Sequence, residues 1–199
     1  MTENPLAKKL KEHTLILASG SPRRKQFLLD MGLPFEIHKK EVEEVYPDYL
    51  KGKEISEYLA KLKAEPFQNN LNIGDIVLTS DTVVWNEGES LAKAETQEEA
   101  RQMLQKLSGR WHEVITSVCL TSNKTQRVVS EITKVRVADL SLDEIQFYIE
   151  SCQPFDKAGA YGIQEWLGLI GISEIQGSYT NVVGLPTHLV YKTLMDMVG

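Results

Sequence analysis

The sequence predicts a mixed α/β fold with at least two antiparallel hairpins, and three observations carry that prediction. First, "TLILA" (Thr14 to Ala18) is a short aliphatic run that stops at Ser-Gly-Ser-Pro and passes into the helical pattern "RRKQFLLDMG", so a strand, a tight loop and a helix follow one another. Second, "TVVW" and "SLA" flank a turn at Asn86 to Gly88, and "RWHEVITSVCLTSN" and "RVVSEITKVRVADL" flank "SNKTQ"; both pairs read as antiparallel hairpins. Third, Thr96 and Ser141 each precede a helical pattern with Glu three residues later, the spacing of a capping box. Strand and helix do not alternate strictly, so a doubly wound parallel sheet fits poorly.

The elements follow in order. Ser21 is placed to cap the first of these helices, with Pro22 at its first position and Phe27, Leu28 and Met31 on its apolar face. "LPFEIHKKEVEE" reads as a strand running into an acidic turn. "EISEYLAKLKAEPF" (Glu54 to Phe67) has helical spacing at Ile55, Tyr58, Leu59 and Leu62, with Pro66 predicted to end it and Lys63 at the edge of its apolar face. "DIVLTSDTVVWNEGESLAK" holds two strand-like runs. Thr96 to Gly109 is a helix with its face at Ala100, Met103, Leu104 and Leu107, and Ser141 to Ser151 is another. "PFDKAGAYGIQEW" is a Gly-rich loop; "LGLIGISEIQGSYTNVVGLP" reads as strand, turn and apolar segment; "THLVYKTLMDM" closes as a helix capped by Thr187.

Composition narrows the function. A chain of 199 residues suits one large domain or two small lobes sharing a core. The net charge of −6 argues against nonspecific nucleic-acid binding, although a local basic cluster can still grip a nucleotide. No apolar stretch is long enough to span a bilayer, and "MTENPLAKKLKEH" lacks the apolar core of a secretory signal. Cys119 and Cys152 show neither metal spacing nor a disulfide framework. A cytoplasmic protein without a membrane partner is the expectation. His13, His38, His112 and His188 have no ligand spacing and read as structural or surface residues. No Walker or G-x-S-x-G motif occurs.

The chemistry-bearing residues sit at element ends. Backbone N–H groups and the positive end of a helix dipole point into the loop before Arg23 and Arg24, an anion-binding geometry. Asp81 interrupts the apolar "IVLTSDTVVW", and a carboxylate there is costly to bury unless paired or metal-bound. The plainer alternative has Asp81 end a strand and cap a turn, satisfied by Ser80 and Thr82. Basic groups that hold a polyphosphate, together with carboxylates that hold Mg²⁺ or Mn²⁺ and activate water, are what phosphate-ester hydrolysis requires. Trp166, after the Gly-rich loop, is read as a packing residue.

Taken together, "LASGSPRRKQFL", "SDTVV", "LSGRWHEVITSV", "DKAGAYGIQ" and "GSYTNVVGLP" resemble the Maf family of nucleoside triphosphate pyrophosphatases, over nearly the whole chain. The resemblance implies a single domain over residues 1–199, similar to inosine triphosphate pyrophosphatase: an elongated mixed sheet, helices around two lobes, and a central cleft. It implies hydrolysis of dTTP and UTP, and of modified pyrimidine nucleotides, to the monophosphate and pyrophosphate with a divalent metal. Asp81 is the implied general base. Arg23, Thr82 and Gln164 are the implied base-reading set, and Ser19, Arg24, Lys63 and Lys93 the implied triphosphate contacts. Asp81, Glu44 and Asp156 are the implied metal ligands, and a homodimer is a family-level expectation. The chain departs from the family pattern at Thr79-Ser80 (usually Gly-Ala), Ala94 (usually Pro) and Glu165 (usually Gly). A nucleotide sensor in cell-division control, with little catalysis, is the rival from another class.

Overall fold

The computed structural model describes residues 3–199. Seven strands form one sheet: β1 (Thr14–Leu17), β2 (Glu36–Ile37), β3 (Asp75–Asn86), β4 (Glu89–Leu91), β5 (Trp111–Ser122), β6 (Gln126–Val137) and β7 (Ile172–Gln176). The order is β2-β1-β3-β5-β6-β7, with β4 also on β3. Pairings of β1 with β2 and β3 are parallel; all others are antiparallel. The mixed sheet and both hairpins are therefore as predicted. Glu87 and Gly88, both at positive φ, make the β3–β4 turn, the left-handed pair that a two-residue hairpin favours.

Among the described residues, eight α-helices flank the sheet: α1 (Pro5–Lys9), α2 (Pro22–Asp30), α3 (Lys53–Gln68), α4 (Gln97–Leu107), α5 (Leu142–Cys152), α6 (Trp166–Gly171), α7 (Tyr179–Val183) and α8 (Thr187–Met197). Along one face of β3, Val77, Thr79, Asp81 and Val83 alternate toward α3, because successive strand residues point to opposite faces. Val77 packs with Phe67, and Val83 with Ile55 and Leu59. Ala60 and Ala64 keep α3 close to the sheet, so that Thr79 Oγ1 donates to Ala60 O at 2.6 Å.

The opposite face carries two separate apolar cores. One joins Leu78, Val118 and Leu120 to α1, α2 and α8; the other joins Val84, Val114 and Val135 to α4 and α5. Between them lie Ser80, Thr82 and Thr116, with the fully buried Asn181 of α7. Asn181 Nδ2 donates to Val114 O and Thr133 Oγ1, and Thr116 Oγ1 donates to Asn181 O at 2.9 Å. A polar seam thus divides the cores, and a cleft opens along it.

Several local expectations are corrected. Asp81 does not end a strand; β3 runs unbroken through it. Pro66 does not stop α3, which continues to Gln68; within the last turn its missing N–H forfeits only one bond. Residues 167–171 are helical rather than extended, and α6 begins at Trp166. A Cβ on Gly168 would fall 1.7 Å from Ile163 O, so glycine allows α6 to lie directly on the preceding loop. The apolar segment after Ser178 is helix α7. Thr187 is the first residue of α8 and Pro186 its cap position; the Thr187 hydroxyl instead donates to Thr180 Oγ1. The Glu99 carboxylate accepts from Glu95 N rather than Thr96 N, leaving a one-sided cap on α4, whereas the Ser141–Glu144 box is complete. The N-terminal helix α1, with Leu6 buried, had no assignment because five residues offer too little periodicity.

Candidate active site

The cleft has a structural origin in the sheet edge. β5 covers one edge of β3 from Ile76 to Trp85. On the other edge β1 pairs only with Asp75–Leu78, and β4 only with Val84–Asn86. Between these, residues 79–83 face a notch instead of a strand. Alternation sends the backbone groups of Ser80 and Thr82 into it, and Ser80 O accepts from Arg24 Nη1 at 2.8 Å. The cavity at this notch measures about 980 Å³, the size of a small-molecule site. Its walls bear seven cationic and four acidic side chains, a local positive surplus in a chain of net charge −6.

All ten residues singled out from the sequence line this one cleft. Asp81 is buried beside Lys63, whose ammonium donates to Oδ1 at 2.7 Å and also meets Glu44 at 3.1 Å. Burial raises the Asp81 pKa above the ordinary carboxylate value, a push that Lys63 and Arg24 oppose. Oδ2 has no protein partner among the described residues. Lys63 reaches this point because it sits on α3, four residues beyond Leu59, where the helix overhangs the notch.

Ser21 caps α2 as predicted, accepting from Arg24 N, and Ser19 Oγ accepts from Ser21 N and Arg24 Nη1. The Arg24 side chain is more heavily engaged than a phosphate contact would need. Nε donates to Gly184 O at 2.9 Å, Nη1 to Ser19 and Ser80, and Nη2 to Thr82 Oγ1. Burial lowers its pKa, a pull that Asp81 opposes. Of the five guanidinium donors, one on Nη2 has no partner among the described residues. Since Thr116 donates to Asn181, the Thr82 hydroxyl donates to Thr116 Oγ1 at 3.0 Å and accepts from Arg24. Thr82 is thereby fixed by the seam.

Arg23 points along the other wall to Asp156 Oδ2 at 3.2 Å. Asp156 Oδ1 takes the Lys157 ammonium at 2.6 Å, and these two cations hold its carboxyl below the usual range against the opposing pull of partial burial. Gln164 is exposed to the cleft, and no partner for its amide occurs among the described residues. Lys93 is held by backbone pairing with Ala158, and its neighbour Ala94 is buried. Glu165 lies next to Gln164, yet its carboxylate is taken by Lys157 and by the Tyr148 hydroxyl. Trp166 packs against Phe147 and the core. Sequence reading missed Lys39, whose ammonium lies over Gly20; the "HKKE" pair in a cleft loop was its only signal.

Asp81 and Glu44 share the Lys63 ammonium, so two hard oxygen donors lie together around one positive charge. That set suits Mg²⁺ or Mn²⁺, which commonly take one or two protein carboxylates and complete their shell with water and phosphate oxygens. Asp156 does not join them, being bound to Arg23 and Lys157, and no cluster of three acidic, His or Cys ligands forms among the described residues. No helix in them is long and apolar enough to cross a membrane.

Fold and cleft together define a mixed-sheet α/β protein whose basic, nucleotide-sized cleft holds a buried carboxylate. The family model described as Maf-like protein matches residues 14–197, and the chain belongs to that family. Relatives named dTTP/UTP pyrophosphatase include one from Christiangramia forsetii, 52% identical over 96% of this chain and 97% of that protein. Another, from Flavobacterium johnsoniae, is 50% identical over 97% of this chain and all of its own length. Among solved structures, the Staphylococcus aureus Ham1 protein is similar over 63% of this chain and 72% of its own, at 18% identity and TM-score 0.45.

Proposed function

We propose that this protein hydrolyses dTTP and UTP to the monophosphate and pyrophosphate, as the names of its full-length relatives state for them. The observation that carries the chemistry is Asp81, a buried carboxylate at the strand notch with one oxygen bonded to Lys63 and the other left open, with no protein partner among the described residues. In this reading the open oxygen takes a proton from a water that attacks the α-phosphorus, and pyrophosphate leaves. Burial favours proton acceptance by raising the basicity of Asp81. Lys63 fixes the carboxylate's orientation, and Lys93, the remaining Arg24 N–H and the backbone N–H groups of the Ser19–Ser21 loop meet the triphosphate charge.

Asp81 and Glu44 would hold a divalent cation, Mg²⁺ or Mn²⁺, whose chemistry when bound is neutralisation of phosphate charge. Asp156 belongs in this reading to the Arg23 side of the cleft. Arg23 and Gln164 offer donors and an acceptor to the pyrimidine edge, while Thr82, its hydroxyl proton committed, offers an acceptor lone pair. A site of this kind rejects bases that leave its polar groups unpaired. The cytoplasm is the compartment this reading carries.

The test is pyrophosphate release from dTTP, UTP, CTP and GTP with Mg²⁺ or Mn²⁺, comparing wild type with Asp81→Asn. The reading expects turnover of dTTP and UTP, with kcat falling about 10²- to 10⁴-fold in the variant and nucleotide binding retained. Rapid turnover of CTP or GTP alone would overturn the substrate reading, and an unimpaired variant would overturn the role of Asp81.

A further inference from the structure

Glu165, beside Gln164 on the Arg23 side of the cleft, is engaged at both of its carboxylate oxygens. Its Oε2 accepts from the Tyr148 hydroxyl, and its Oε1 meets Lys157 Nζ at 2.8 Å. Lys157 also donates to Asp156 Oδ1 at 2.6 Å, and Asp156 Oδ2 meets Arg23 Nη1 at 3.2 Å. Each carboxylate divides its two oxygens between two partners. The result is a relay of alternating charge, Glu165–Lys157–Asp156–Arg23, running from the core to the mouth of the cleft.

Buried groups anchor the relay: Tyr148 is fully buried and the Lys157 side chain is 9% exposed, whereas the Glu165, Arg23 and Asp156 side chains are 22%, 26% and 60% exposed. An exposed Arg–Asp pair by itself orders little, because water competes for both partners. Here the outer pair hangs on a buried ammonium, and that ammonium is fixed by a carboxylate bound to a buried tyrosine. Tyr148 also accepts from Gly162 N at 2.9 Å, which ties the relay to the loop that presents Gln164. A Cβ on Gly162 would lie 2.9 Å from both Gln164 Nε2 and Glu165 Cδ, so the two side chains pack side by side over that glycine.

Without Glu165, the buried Lys157 ammonium would retain Asp156 as its one carboxylate and draw it inward, away from Arg23. We propose that Glu165 is a positioning residue: through Lys157 and Asp156 it holds Arg23 at the base-reading wall and so sets the affinity for the pyrimidine. This rests on the reading of Arg23 as a base contact. It makes Glu165 act on KM and on base discrimination, with the hydrolytic groups at Asp81 untouched.

The experiment is steady-state pyrophosphate release from UTP and CTP by wild type, Glu165→Gly, Glu165→Gln, Arg23→Ala and the two double variants. Glu165→Gly is expected to raise KM for UTP about fivefold or more and to narrow the UTP/CTP preference, with kcat within about twofold. Glu165→Gln keeps the shape and the Tyr148 bond but loses the charge, and is expected to fall between. In the Arg23→Ala background neither Glu165 substitution should raise KM further, which a merely structural role would not produce. Should Glu165→Gly fail to unfold cooperatively, the isosteric Gln variant carries the same cycle. Unchanged KM in the folded variants, or additive effects with Arg23→Ala, would overturn the inference alone. Failure of wild type to release pyrophosphate from UTP would overturn the pyrophosphatase reading and this inference with it.

Discussion

Replacing Arg24 with Ala separates two roles that the sequence cannot distinguish. The resemblance assigns this arginine to the triphosphate; the structure spends four of its N–H groups on Ser19, Ser80, Thr82 and Gly184. Those bonds join the β1–α2 loop, the open edge of β3 and the turn between α7 and α8, three segments distant in sequence. At a low value of about 1 kcal/mol for each bond, their loss amounts to about 4 kcal/mol. Water entering from the cleft re-satisfies part of the freed carbonyls, leaving about 3 kcal/mol. For a chain of this size that lowers Tm by about 6–12 °C. Arg24→Lys keeps the charge but not the fork, and should recover less than half of the loss. Urea denaturation and scanning calorimetry measure both variants. An Arg24→Ala protein within about 0.5 kcal/mol of wild type, with KM alone raised, would refute this reasoning and return the guanidinium to the phosphates.

Three further outcomes follow from the same geometry. Because burial raises the Asp81 pKa, the carboxyl of the metal-free protein should titrate above the ordinary value of 3.8 in an NMR pH titration; a midpoint at or below that value would contradict the reading of Asp81 as a base made stronger by burial. His112 is buried against Tyr161, and burial pulls its pKa from 6.5 to about 4. The unfolded chain therefore binds more protons between those values. Stability present above pH 6.5 should fall by about 3 kcal/mol as pH drops to 4, and urea titrations of His112→Gln should show a flatter profile. Chelation should abolish pyrophosphate release, with Mg²⁺ or Mn²⁺ restoring it, and Glu44→Gln should raise the metal concentration needed for half-activity; indifference of Glu44→Gln would remove Glu44 from the ligand set.

How much of this was legible in the sequence depends on whether the signal is local. Ser21 before Pro22, the Ser141–Glu144 box and the two hairpins were readable because each depends on a few neighbouring side chains and dihedral preferences. Residues 167–171 read as strand because five apolar or glycine positions suit a strand and a helix equally. What decides is the contact of Gly168 with Ile163 O, a tertiary fact. All ten site residues proved to line one cleft, but their partners were not legible. No spacing rule says that Lys63 joins Asp81 to Glu44, or that Asp156 turns to Arg23.

Asp81 shows why the notch itself escaped notice. From the sequence, a carboxylate within "IVLTSDTVVW" looks like an interruption, and either a turn or a paired charge would explain it. The strand is in fact continuous, since β5 satisfies its backbone on one edge through this point. What breaks is the other edge, where β1 has ended and β4 has not begun. An edge left open for residues 79–83 is a property of two other strands' lengths, so no residue within β3 encodes it alone. The polar run Thr79, Ser80, Asp81 and Thr82 is its local trace. On one face Thr79 and Asp81 engage α3; on the other Ser80 and Thr82 meet Arg24 and the seam. Were the notch closed by a longer β1, the Ser80 and Thr82 backbone groups would join a ladder and Arg24 would lose its acceptor at Ser80. Function here comes from a gap in pairing, which the sequence marks by placing polar residues where an ordinary central strand would keep its apolar alternation.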